Sequence, residues 1–263
     1  MNCEYGAHVA TNVRWLYLKL AVEAVAELVS ARILLAALGI EGYGVFAAVA
    51  GSVSAFGFFA GSFETATRRF LCCDLRNFPS LLGLTVLTTL VLAVVGGLVS
   101  AFVLPSAIIL SLPILGTVLL RILRIPYETC FVASERMGFF LVVSLLESGM
   151  AILAAMSVGC LHCEPVRAYA MLRLLSAVAV MGLIVWFCFR CHSFSRTRPQ
   201  FCLAAMKAVL GFFGWGSLGS VATLFKGSGI VILLATYAGS TGCAGCEAAS
   251  KFGALFWGLI ANY

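Results

Sequence analysis

The residues of this chain that could do chemistry are ionisable side chains set inside apolar sequence at helical spacing. Between Asn12 and Phe46, an otherwise apolar run carries Lys19, Glu23, Glu27 and Arg32. At about 100° per residue, the first three fall within about 80° of one another, and Arg32 points to roughly the opposite side from Glu23. Arg121 and Arg124 follow one turn apart in a second apolar run, with Glu128 four residues beyond Arg124, a spacing that allows a local ion pair. Glu147 and Arg173 are single charges in two further runs and are candidate partners for each other. Lys226 sits in a stretch broken by glycine at 211, 214, 216, 219, 227 and 229. Cations in such positions can hold an anion, whereas paired carboxylates can take up a proton, a sodium ion or an organic cation. Lys19 and Glu23 can equally neutralise each other as an i,i+4 pair. A charge facing lipid at mid-membrane depth costs at least ~2.5–3.5 kcal/mol, so these side chains are expected to face protein or a watery cavity.

A second set of candidates is the thiols. Cys160-Leu-His-Cys163 and Cys243-Ala-Gly-Cys246 are two C-x-x-C pairs among eleven cysteines. They could bind zinc, form two disulfides in an oxidising space, or be ordinary small residues. The pairs lie far apart in sequence, and no metal site is assigned. The chain has no G-x-S-x-G, H-E-x-x-H or Walker motif, and its three histidines are His8, His162 and His192. The expectation is therefore a protein that is not an enzyme and needs no cofactor.

The elements that must position these charges are membrane-spanning helices. The chain of 263 residues is 62% hydrophobic and 11% charged, with mean hydropathy +1.06, against roughly 45–50% and ~25% in a soluble domain. The fold class expected is all-α, a polytopic transmembrane helix bundle. Apolar segments of spanning length run roughly over 15–38, 43–63, 80–104, 106–125, 138–160, 166–190 and 208–237, and an eighth begins near Glu247. This predicts a six-helix lobe over 1–190, a basic loop over 191–199, and the start of a second lobe over 200–263. No cleavable leader is evident at the N-terminus. Loops after even-numbered spans carry Arg68, Arg69, Arg76, Arg136, Arg190, Arg196 and Arg198, while loops after odd-numbered spans carry Arg167 alone. That asymmetry puts the even loops and the N-terminus in the cytoplasm and the STGCAGC turn outside, and it accounts for the net charge of +6 without nucleic acid. Gly44, Gly51, Gly57 and Gly61 make the second span a close-packing face, or a helix able to bend during transport. Pro126 is expected to kink or end the fourth.

Three stretches carry a family likeness: ARILLAALGIEGYGVFAAVAGSVSAFGFFAGSFETATRRFL, then IPYETCFVASERMGFFLVVSLLE, then FFGWGSLGSVATLFKGSGIVILLATYAGS. In this order they resemble the bacterial polysaccharide flippases, the O-antigen and capsule exporter branch of the multidrug/oligosaccharidyl-lipid/polysaccharide exporter superfamily. The resemblance implies two six-helix lobes related by internal repeat, of which this chain supplies one lobe and part of the next. It implies a multi-pass protein of the bacterial inner membrane that flips a polyprenyl-pyrophosphate-linked oligosaccharide for surface polysaccharide synthesis. Membrane lipid, a missing second lobe, a polysaccharide polymerase and glycosyltransferases would be its partners. On that reading Lys19 and Arg32 would contact the anion, with Arg121, Arg124 and Lys226 behind them, and Arg32→Ala would abolish surface polysaccharide. Glu23 and Glu27 would separate those cations or bind a coupling ion. The alternatives are a drug/cation antiporter of the same superfamily, which the paired carboxylates favour, and a truncated non-transporting remnant or scaffold.

Overall fold

A backbone passing through hydrocarbon must satisfy its own N–H and C=O groups, and a helix does this within one segment. A computed structural model describes residues 2–54, 58–103, 107–134, 137–158, 164–191, 199–201, 207, 209–211 and 230–260. Among them are eight α-helices and no strand: α1 Asn2–Ser54, α2 Phe58–Cys73, α3 Phe78–Val103, α4 Ile108–Ala133, α5 Met137–Val158, α6 Pro165–Cys191, α7 Ile230–Tyr237 and α8 Gly239–Ile260. Among the described residues, five stretches are long and apolar enough to cross a membrane: Thr11–Val53, Leu75–Phe102, Ile108–Ala133, Gly138–Val158 and Pro165–Arg190.

The first of these is broken at Gly39, whose φ of 70° and ψ of 174° lie in a region open essentially to glycine. The division between residues 38 and 43 expected from the sequence is therefore real. Gly239, with φ 69°, makes the corresponding break between α7 and α8. These two glycines mark one end of the bundle, the turn end. Arg68, Arg69, Arg76 and Arg190 mark the other, the basic end.

Several expectations from the sequence are corrected. Arg68 and Arg69 are not in a loop, because α2 stays helical to Cys73 and only then turns through Leu75–Asn77, where the Asp74 carboxylate accepts the Arg76 N–H at 2.9 Å. Pro126 does not end its helix. Buried Ile122, Ile125, Tyr127 and Phe131 hold α4 on course to Ala133. The STGCAGC segment is not a turn but the first two turns of α8, which begins eight residues before Glu247. Cys243 and Cys246 are in the thiol form there, and Cys243 packs fully buried beside Ala47. Cys160, His162, Cys163, Lys226 and the GW segment lie outside the described residues.

Helix α1 packs against α5 and α8, α4 against α2, α3 and α6, and α5 against α6. Toward the basic end the core is aromatic. Phe139 stacks against both Phe131 and Phe187, with ring centroids 4.2 Å apart in each pair. At the turn end Leu34, Tyr43, Ala154, Ala155, Val158, Tyr169 and Ala244 form a second core. Leu90, Val91, Val94, Leu98 and Phe102 of α3 point outward, as a lipid-facing helix requires. Buried Thr85 and Thr129 donate to the carbonyls of Leu81 and Ile125, at 2.7 Å each, and so bring no unpaired hydroxyl into the core.

Candidate functional site: a charged cavity between the helices

Where α1, α2, α4, α5, α6 and α8 face one another they enclose a cavity of about 660 Å³. It extends from Ser30, Tyr169 and Glu247 toward the turn end to Arg68, Glu128 and Val132 toward the basic end. Its lining holds six carboxylates (Glu23, Glu27, Glu64, Glu128, Glu147, Glu247) and six cations (Lys19, Arg68, Arg121, Arg124, Arg173, Lys251), so its formal charge balances. In apolar sequence such charges persist only where they pair or meet water.

Most of them pair. Lys19 Nζ lies 2.9 Å from Glu23 Oε1, and the Ser144 hydroxyl of α5 donates to the same oxygen at 2.8 Å. The local neutralisation that the i,i+4 spacing allows is thus formed, and it is tied across to a second helix. Arg124 donates through Nη1 to Glu147 Oε2 at 2.8 Å, and its Nε lies 2.9 Å from Glu128 Oε1. That second contact is an ion pair without hydrogen-bond alignment, because Nε is buried and bonds to nothing. The Arg124–Glu128 spacing was legible in the sequence. The suggested Glu147–Arg173 pairing is replaced by Glu147–Arg124, which links α5 to α4. Glu64 pairs with Arg68 along α2, and Glu247 with Lys251 along α8, the latter at 3.8 Å.

Among the described residues, Glu27, Arg121 and Arg173 line the cavity without an ion pair. Of the residues singled out from the sequence, the structure brings Lys19, Glu23, Glu27, Arg121 and Arg124 to this one cavity. It does not bring Arg32, which is exposed and away from the lining. Nine residues of helix separate Arg32 from Glu23, half a turn out of phase, so one face of α1 cannot carry both into the same space. Arg32→Ala is accordingly expected to change ligand binding in the cavity by less than about twofold, within the ±0.5 kcal/mol usual for exposed positions. A binding isotherm of the variant checks this.

Sequence reasoning missed Ser144, Glu64 with Arg68, and Glu247 with Lys251 as lining residues. The two ion pairs had a signal, opposite charges four apart, but their helices were drawn too short. Ser144 had none.

Beyond the turn end of the cavity, α1 and α8 meet in a seam of small residues. Gly44, Ala47 and Ala48 of α1 lie against Ser240, Cys243 and Ala244 of α8. A Cβ at position 44 would fall 2.9 Å from the Ser240 Cα and closer still to its carbonyl carbon and oxygen. Glycine is required there by the approach of two backbones.

No family model matches the sequence, and no curated protein does. Two solved structures share the fold. One is a MOP superfamily transporter from Pyrococcus furiosus Vc1, reported with a binding pocket of reverse polarity that suggests a different function; it is 17% identical, with a TM-score of 0.57 over 95% of this chain and 60% of that one. The other is a MATE protein crystallised in complex with Br-NRF, 17% identical, with a TM-score of 0.52 over 82% of this chain and 54% of that one. The chain thus shares the helical fold of these two proteins and spans between half and two thirds of their length.

Proposed function

We propose that this chain forms the first lobe, and part of the lobe interface, of a membrane transporter that passes a polyprenyl-pyrophosphate-linked oligosaccharide between leaflets of the bacterial inner membrane. The observation that carries the reading is a pair of arginines, Arg121 and Arg173, facing a polar cavity at membrane depth with no carboxylate within ion-pair distance among the described residues. A pyrophosphate cannot cross hydrocarbon unaided, and planar guanidinium groups bind phosphate oxygens two at a time. Lys19 and Arg124 stand beside these arginines, each already engaged by carboxylates. A cavity of 660 Å³ is of small-ligand size (~300–1,000 Å³). It suits the pyrophosphate and the adjoining sugar, with the rest of the glycan trailing into water and the prenyl tail in lipid. The basic end faces the cytoplasm on this reading, and a second lobe completes the path.

The equal number of acids and bases, with Glu27 unpaired, favours a second reading, export of an organic cation. One experiment separates the two. Protein in nanodiscs is titrated with a short-chain prenyl-pyrophosphate sugar and, separately, with ethidium. Flippase chemistry predicts saturable binding of the first, weakened at least about tenfold (~1.4 kcal/mol) by Arg121→Ala with Arg173→Ala. Binding of ethidium alone, insensitive to these substitutions, would sink it in favour of the antiporter.

A further inference from the structure

Helix α5 presents two unlike faces. Phe140, Val143, Ser144 and Glu147 line the charged cavity. Gly138, Val142 and Leu146, spaced four apart, lie on the roughly opposite face. With Phe139 of α5 and Leu183, Trp186 and Phe187 of α6, they line a second space, a groove of about 620 Å³. Among the described residues no third helix borders it, and Val142, Leu146 and Trp186 are 49%, 41% and 56% exposed. Its floor is fixed by Phe139 and Phe187, stacked with centroids 4.2 Å apart. Gly138 leaves a notch at the basic end, where a Cβ would meet nothing within 4 Å. From Gly138 to Leu146 the groove runs about 12 Å along the helix, toward mid-membrane. That is close to the ~15 Å of hydrocarbon in one leaflet. One turn past Trp186, the exposed Arg190 guanidinium stands over the Trp186 ring, 5.3 Å from its centroid. Among the described residues it forms no ion pair.

We propose that this groove binds an anionic phospholipid from the leaflet at the basic end, with one acyl chain lying between α5 and α6 and the phosphate held by Arg190. An apolar trough of one leaflet's depth, ended by a cation without a counter-charge, is complementary to an amphiphilic anion. A guanidinium binds phosphate oxygens two at a time. The Trp186 ring holds it at headgroup level, where amphipathic aromatic side chains gather. A zwitterionic lipid fits the trough equally well but gains less from Arg190, because its own ammonium group competes for the phosphate. The occupant is lipid rather than a second lobe, because the groove is on the side of α5 turned away from the cavity, whereas a second lobe that completes the path would stand on the cavity side. The site is independent of what the cavity carries.

The test needs no cargo, so its failure and that of the flippase reading are distinguishable. The whole chain is placed in phosphatidylcholine nanodiscs containing increasing fractions of phosphatidylglycerol or phosphatidylcholine brominated on one acyl chain. Quenching of Trp186 is read as the difference between the parent and Trp186→Phe. Brominated phosphatidylglycerol is expected to reach half its effect at about one fifth of the mole fraction that brominated phosphatidylcholine needs, the factor one cation near the surface supplies. Arg190→Gln should bring the two lipids within about twofold of each other, and added salt should narrow the gap in the parent. Gly138→Leu, whose Cβ has open space around it, should fill the notch and raise the half-effect fraction of phosphatidylglycerol at least about threefold. Equal quenching by the two lipids in the parent means annular lipid only and overturns the proposal. A preference that survives Arg190→Gln overturns it, as does a half-effect unmoved by Gly138→Leu. Absence of quenching by either lipid, which would mean that protein covers the groove, overturns it too. Should one variant fail to fold, the other decides.

Discussion

Gly44→Val is expected to abolish the proposed transport while leaving the protein folded and inserted. The reason is local. A side chain at position 44 would meet the Ser240 main chain, with the nearest Cα 2.9 Å away, and backbone cannot swing aside as a side chain can. Overpacking of this kind typically costs about 1–3 kcal/mol. Helix association in lipid has little hydrophobic drive to oppose it, since small-residue contacts hold by packing alone. The seam should therefore part while the α1–α5 and α4–α6 contacts, which do not involve Gly44, persist. A thiol placed at Ser30 would then react with an impermeant reagent from the turn end in the Gly44→Val background and not in the parent. Equal labelling in both would mean that the seam does not close the cavity.

The converse substitution locks the same seam. Ala47 and Cys243 are buried against each other, at 2% and 0% exposure, so Ala47→Cys should form a disulfide with Cys243 under mild oxidation. If the two helices must separate in each transport cycle, the cross-linked protein is inactive and reductant restores it. Full activity in the cross-linked state would show that this end never opens.

How much of this was legible in the sequence follows from what each feature depends on. The bundle was, because spanning length and apolarity are local properties and Gly39 punctuates its own helix. The Lys19–Glu23 and Arg124–Glu128 pairs were, because a helix brings residues four apart together whatever surrounds it. That Arg32 lies away from the cavity was implicit in its phase relative to Glu23, although the family likeness favoured it as a ligand contact. The joining of Glu147 to Arg124, the Ser144 bond to Glu23, and the meeting of Gly44 with Ser240 were not. Each depends on how two helices distant in sequence are rotated and shifted against one another. Small-residue spacing announces a close approach without naming the partner. Helix ends misled for a related reason: α2 and α8 carry polar residues in their end turns, so a hydropathy window stops short of Glu64–Arg68 and of Cys243.

Arg124→Ala is expected to be the most destabilising single substitution in the cavity, at about 2–4 kcal/mol. Removing one member of a buried ion pair costs about 3–5 kcal/mol because the other charge remains buried. Arg124 serves two carboxylates, Glu128 at 2.9 Å and Glu147 at 2.8 Å, and their side chains are 19% and 35% exposed. Water in the cavity lowers the penalty for Glu147 more than for Glu128, which brings the expected loss about 1 kcal/mol below that range, to about 2–4 kcal/mol. Arg124→Lys should recover part of it, since an ammonium group supplies the charge but cannot span both carboxylates as a guanidinium does. The informative comparison is the triple variant Arg124→Met, Glu128→Gln, Glu147→Gln, which removes the charges together. Its unfolding temperature should lie well above that of Arg124→Ala, because replacing a whole buried cluster with neutral groups is often close to neutral in stability. If the triple variant is instead as unstable as the single one, the cluster stabilises the fold through more than charge balance, and the α4–α5 contact depends on the Arg124–Glu147 hydrogen bond itself.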